Sequence, residues 1–190
     1  MSLKYYKQEN ERYGDMGVIT EAQALNIIRI ACAKFDMPHV KFNINPRKRR
    51  MSHYKAGATM IAMCGRVARP LAVPLIDMAP TMMHWSTLLH EFAHHIHTVR
   101  FNAAAEKLAA TLSVVLDTRQ ARQAFSKKHV KREHAHGHTH RVIMQELVNF
   151  FVDNGMITQK PTYMKSLWAS GAGLTASATY IVNTVFTQAA

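Results

Sequence analysis

The residue pattern predicts an α+β fold, mainly helical with a small β-sheet, and three observations carry that reading. Apolar residues recur every three or four positions over 20 to 35, 80 to 125 and 141 to 155. Short extended candidates at 39 to 44, 53 to 64 and 71 to 76 lie between the first of these runs and the second. A chain of 190 residues with 48% hydrophobic composition is long enough to close one core and carry an extension.

Each element has a local reason. Thr20 and Gln23 stand at capping-box spacing, and Ala24, Leu25, Ile27, Ile28, Ala31, Cys32 and Phe35 follow at helical period, so a helix is expected over 20 to 35, stopped by Asp36 and Pro38. A strand is expected over 39 to 44, then a basic loop, PRKRR, at 46 to 50. HYKAGATMIAMC at 53 to 64 reads as a turn at Gly57 feeding a strand. LAVPLI at 71 to 76 is assigned to a sheet edge or a loop, because Pro70 and Pro74 cannot donate to a ladder. Pro80 suits a helix first turn, and no breaker follows until about Val99. A second long helix is expected over 102 to 125. Next comes a basic, histidine-rich connector, SKKHVKREHAHGHTH, at 126 to 140. A last helix, with Ile143, Leu147, Phe150 and Phe151 inward, ends at Gly155.

Composition narrows the function. Lys and Arg number 24 against 12 Asp and Glu, a formal charge of +12, which favours a polyanionic partner or an acidic substrate. Cys32 and Cys64 form no CxxC pair, so neither a disulfide framework nor a cysteine zinc ribbon is expected. The first 17 residues lack the apolar stretch of a secretory signal, and the expectation is a cytoplasmic chain that begins at or near Met1. Residues 166 to 190 carry no charge, but Ser, Thr, Gly, Gln and Asn are spread through them. A packed tail is therefore expected rather than a membrane role. Met78, Met82 and Met83 are read as core filling rather than a copper site.

The chemistry concentrates in HEFAHHIH at 90 to 97. On a helical wheel Trp85, Leu88, Leu89, Phe92 and Ile96 form one apolar stripe, while His90 and His94 share the opposite face one turn apart. Two imidazoles at i and i+4 can bind one ion, and a carboxylate next to the first, Glu91, can reach water beside it. Chance placement of 12 histidines and 7 glutamates would produce this HExxH pattern only about 0.03 times, so a zinc (Zn2+) site is the better reading. His84 and His95 lie to one side and are expected to be partly exposed; His97 is a candidate partner to the ligands.

A catalytic zinc takes a third protein ligand and keeps an open position for water. Position 97 is His and position 100 is Arg, which excludes the extended metzincin form of the motif. Glu106 and Asp117 on the following helix are acidic candidates. HAHGHTH at 134 to 140 offers four histidines, with Gly137 expected to turn the backbone sharply toward the metal.

HEFAH, followed downstream by His136-Gly137 and an apolar helix, resembles the SprT-like zinc metallopeptidases over residues 20 to 155. The resemblance implies a zincin-like domain, residues 1 to 155, whose active-site helix carries HExxH, with residues 156 to 190 as a C-terminal extension packed on or flanking it. It implies His90, His94 and His136 as zinc ligands, with His140 and His134 next in order for the third place, and Glu91 as general base. The chain departs from the family pattern in the 41 residues between His94 and His136, in His140 where an aromatic often stands, and in having no cysteine ribbon.

The implied reaction is hydrolysis of a peptide bond in a protein or peptide substrate. Zinc would activate water, Glu91 would take its proton, and Tyr54, His97 or a connector histidine would stabilise the oxyanion. The family implies action on DNA-associated proteins. Arg47, Lys48, Arg49, Arg50, Lys127, Lys128, Lys131 and Arg132 are the candidate DNA or RNA contacts. The alternative is a non-catalytic zinc-containing nucleic-acid-binding module.

Overall fold

The computed structural model describes residues 9, 11–14, 16–47, 52–56, 73–114, 121, 124–125, 128–129, 136–159 and 161–162. The chain falls into two compact units, one comprising Met1–Asp15 with Gln159–Ala190, the other Met16–Thr158. In the first, Gly14 has φ +64 and Thr162 Oγ1 lies 2.8 Å from where a Cβ would stand, so only glycine fits there. The second unit contains the sheet, the long helices and the histidine cluster.

The second unit is α+β, as the residue pattern predicts. Helix α1, Glu21–Phe35, opens on the expected capping box: Gln23 N–H donates to Thr20 Oγ1 (3.2 Å), and Gln23 Oε1 accepts from the Thr20 N–H (2.8 Å). Ala24, Ile27, Ile28 and Ala31 form its buried stripe, while Leu25, at 49% exposure, faces out. Asp36 ends the helix in the left-handed region, φ 52.

Three short strands follow: β1, Lys41–Ile44; β2, His53–Lys55; and β3, Leu75–Met78. The sheet order is β1-β3-β2, with β1 parallel and β2 antiparallel to β3. This corrects the assignment of 71 to 76. Its strand is central, because Pro74 stands just before the first ladder residue and its missing N–H costs nothing there, while its carbonyl accepts from the Lys41 N–H at 2.8 Å. Asp77, only 2% exposed, accepts from Asn43 Nδ2 on β1 (2.8 Å) and from Lys55 Nζ on β2 (3.1 Å), which ties all three strands together. In the 53 to 64 segment β2 takes His53–Lys55, ahead of the turn expected at Gly57; that turn and the strand expected after it fall in 57–72, outside the described residues.

Pro80 opens a short 3-10 turn, Pro80–Met82, rather than the long helix. Helix α2, Trp85–Thr111, starts five residues later and runs unbroken through 100 to 102, where separate helices were expected. No Gly or Pro falls in its 27 residues, so nothing ends it before Leu112, and Ser113 then turns out at φ 53. Leu88, Leu89, Phe92 and Ile96, each at 0–1% exposure, make the predicted stripe.

Helix α3, His138–Asp153, buries Ile143, Met144, Leu147, Val148 and Phe151, with Gly155 beyond its end at φ +68 as the sequence predicts. Phe150 is half-buried and meets Phe35 of α1 edge-on at 6.0 Å. Rings of Trp85 and Phe151, 5.4 Å apart, join α2 to α3. Among the described residues no helix is long and apolar enough to cross a membrane. The uncharged tail, 166–190, lies outside the described residues.

Candidate metal centre

Helical spacing aligns the first two imidazoles. His90 and His94 stand one turn apart on α2, their rings 4.8 Å apart and nearly perpendicular. The stripe on the other side of α2 is in the core, yet these two histidines are not left in solvent: His90 is 6% exposed and His94 is half-buried. The turn before α3 and its first turn cover them. His136 (4% exposed) and His140 (0%) are again four residues apart, so two i, i+4 pairs from different parts of the chain meet.

The ring nitrogens converge. His136 Nε2 lies 3.1 Å from His94 Nε2 and 3.3 Å from His90 Nε2. His140 Nε2 donates to the His90 carbonyl at 3.3 Å; a carbonyl only accepts, so Nε2 carries the proton and Nδ1 is the nitrogen with a lone pair. His90, His94 and His140 each bring one ligand atom within 4.8 Å of the others, close enough to hold a metal ion.

Two overlapping triads therefore exist, 90/94/140 and 90/94/136. In a tetrahedral zinc site with Zn–N bonds of 2.0–2.1 Å, ligand nitrogens stand about 3.3 Å apart. The separations of 3.1 and 3.3 Å from His136 Nε2 match that edge, and the ligand atoms of the 90/94/140 group all lie within 4.8 Å of one another.

Electrostatics favour neutral, ligating imidazoles. Burial, followed by the neighbouring His140, His90, His136 and His97, lowers the pKa of His94 from 6.5 to about 2. Burial, then His90 and His136, lowers that of His140 to about 3. Near neutral pH both rings present lone pairs without first losing a proton.

A pH dependence follows. Because both folded pKa values lie below the unfolded 6.5, the unfolded chain binds more protons once the pH drops under that value. Stability present above pH 6.5 is then lost progressively on acidification, by about 2 kcal/mol for each of the two histidines at pH 5. Urea unfolding of the metal-free chain at pH 7.5 and pH 5 measures this, and equal stability at both would contradict buried neutral rings.

Glu91 sits beside the first ligand candidate, 7% exposed, and its Oε2 accepts the Tyr54 N–H of β2 at 2.7 Å. Tyr54 is not placed as an oxyanion donor: its hydroxyl donates to His95 Nδ1 at 3.1 Å, its side chain also hydrogen-bonds Thr98, and burial pushes its pKa to about 12. His95, expected to be partly exposed, is at 0% exposure. It lies at the edge of the apolar stripe, and its Nε2–H meets the Pro38 carbonyl at 2.9 Å, so the flank that a wheel leaves open is closed by distant chain. Burial lowers the His95 pKa and keeps the ring neutral.

The other candidates are not brought in. Glu106 and His138 are exposed, while His134 and Asp117 lie outside the described residues. His97 is half-buried and close enough to act electrostatically on His94 and His140. Gly137 has φ −71, a value any residue adopts, so the approach of His136 needs no glycine turn. Of the basic residues, Arg47 and Lys128 are exposed; Lys48, Arg49, Arg50, Lys127, Lys131 and Arg132 lie outside the described residues. Sequence reasoning had His140 only as a substitute for His136. Its i, i+4 relation to His136 was the available signal that both would face one point.

Fold and site together define an α+β unit in which His90, His94 and His140 lie close enough to hold a metal ion, with His136 against them. No protein-family model matches the chain, and no match was found among curated proteins or solved structures.

Proposed function

We propose that this chain is a zinc-dependent metallopeptidase of SprT-like type, hydrolysing peptide bonds with Glu91 as general base, and that its substrates include proteins bound to nucleic acid. The observation that carries the reading is the approach of His136 Nε2 to within 3.1 and 3.3 Å of the Nε2 atoms of His94 and His90, which stand on the helix that also bears the buried Glu91. His90, His94 and His136 would hold the ion, and the imidazole donor set suits zinc. Zinc in such a site supplies Lewis acidity, bringing a water's pKa toward neutrality and polarising a carbonyl oxygen.

The residues do the rest. Glu91, whose Oε2 accepts the Tyr54 N–H, would take the proton from water and pass it to the departing amine. His140, through its Nε2–H on the His90 carbonyl, fixes the first turn of α3 against the ligand-bearing turn of α2. The burial of Glu91 limits competing solvent.

One observation favours a second reading. Four imidazoles can fill a tetrahedron, and if His140 Nδ1 joined the other three the site would be closed and structural, as in a zinc-containing nucleic-acid-binding module. Activity separates the two. Purified full-length chain is expected to contain about one zinc per molecule and to cleave casein. Chelation should abolish the cleavage, zinc should restore it, and DNA should stimulate it at low salt more than at high salt. Stoichiometric zinc without hydrolysis would favour the module; no transition metal at all would end both readings.

A further inference from the structure

We propose that Tyr54 and His95 form a positioning couple that sets where the Glu91 carboxylate stands beside the histidine cluster. The proposal rests on the preceding reading for the role of Glu91, but its geometry can be tested separately.

Tyr54 touches α2 through its backbone and through its side chain, which also hydrogen-bonds Thr98 of that helix. Its backbone N–H donates to Glu91 Oε2 at 2.7 Å, and its hydroxyl donates to His95 Nδ1 at 3.1 Å. Glu91 and His95 are one helical turn apart, so both contacts fall along one side of α2. Backbone and side chain of a single residue thereby locate β2 across that helix.

β2 needs such location. It is three residues long, it stands at the end of the order β1-β3-β2, and its ladder is to β3. A strand so short, paired on one side, is weakly held by its ladder alone. His95 supplies the missing fixed point: it donates Nε2–H to the Pro38 carbonyl at 2.9 Å, which places its proton on that nitrogen and leaves Nδ1 as the acceptor for Tyr54. The chain of bonds runs from the segment before β1, through His95 and Tyr54, to Glu91. It closes on α2, the helix that carries both His95 and Glu91.

The hydroxyl and imidazole are directional where an apolar pair of the same volume would only fill space. Tyr54 and His95 need not touch substrate; they act through Glu91. A shift of about 1 Å in a reacting group can reduce a rate by about a hundredfold, so a partial loosening of β2 should be visible in turnover.

Tyr54→Phe tests this in the full-length, zinc-loaded chain, since it removes one oxygen and keeps the amide. The expected result is a kcat lowered about tenfold with KM and zinc content unchanged. In a Glu91→Gln background the same substitution should add no further loss, as residues acting through one group are not additive. A second readout does not depend on turnover. In the wild-type 1H–15N spectrum the amide of residue 54 should lie far downfield, as a short bond to a carboxylate requires. It should move upfield in Tyr54→Phe, and likewise in His95→Phe, which keeps the ring volume. An amide that stays in place overturns the proposal whatever the rate. So does a kcat that is unchanged although the amide moves. If the wild-type chain cleaves nothing, the peptidase reading falls by itself, and the amide shift alone decides whether this couple positions Glu91.

Discussion

Glu91→Gln is expected to keep zinc at the wild-type level while lowering kcat by about 10²–10⁴, the range that a positioned general acid–base group contributes. The substitution preserves shape. A carboxamide oxygen can still accept the Tyr54 N–H now held at 2.7 Å, so β2 and the histidines should stay where they are. What disappears is an oxygen basic enough to take a proton from water. Glu91 is 7% exposed; among the described residues Glu106 is exposed elsewhere on α2, and Glu146 is half-buried on α3 with Arg100 at 3.9 Å. Steady-state cleavage of a quenched casein substrate, with metal content measured on the same sample, checks it. Full activity in a zinc-replete Glu91→Gln chain would remove Glu91 from the mechanism.

His136→Ala should have the largest effect on metal affinity of any change in the 134 to 140 segment. Its Nε2 stands 3.1 and 3.3 Å from the Nε2 atoms of His94 and His90, and removing it leaves two ligands where three stood. Removing a group that merely orients a ligand costs 10–100-fold in affinity, so losing a ligand should exceed about 100-fold. His140→Ala should fall inside the smaller range, because its Nε2–H is committed to the His90 carbonyl. His138→Ala should leave affinity unchanged, since that residue is exposed. Competition titrations against a chromophoric zinc chelator rank the three, with circular dichroism as the check on folding. If the loss at His140 exceeds the loss at His136, the ligand triad is 90/94/140, and the spacing argument has chosen the wrong nitrogen.

Several parts of the structure were legible locally. The capping box at Thr20 and Gln23, the apolar stripes of α1, α2 and α3, and the end of α3 at Gly155 each depend on residues within a few positions of one another. So does the pairing of His90 with His94, which follows from helical pitch. Where local rules competed with the rest of the fold, they lost. Pro74 argued against a central strand, yet the ladder starts one residue later and avoids it. Separate helices were expected to either side of residue 100, but a sequence without a breaker continued as one through Thr111.

By itself, then, the chain determined which residues share a helical face and that two imidazoles and a carboxylate would stand together on one of them, because pitch is a property of the backbone. The arrival of His136 and His140 over that face, the burial of His95 against Pro38, and the grip of Tyr54 on Glu91 were decided only by the tertiary structure. These are contacts between residues 37 to 57 positions apart in the chain, and they exist because the packing of α3 and the sheet onto α2 brings them to the same place. No periodicity within one segment encodes what another segment will lay across it.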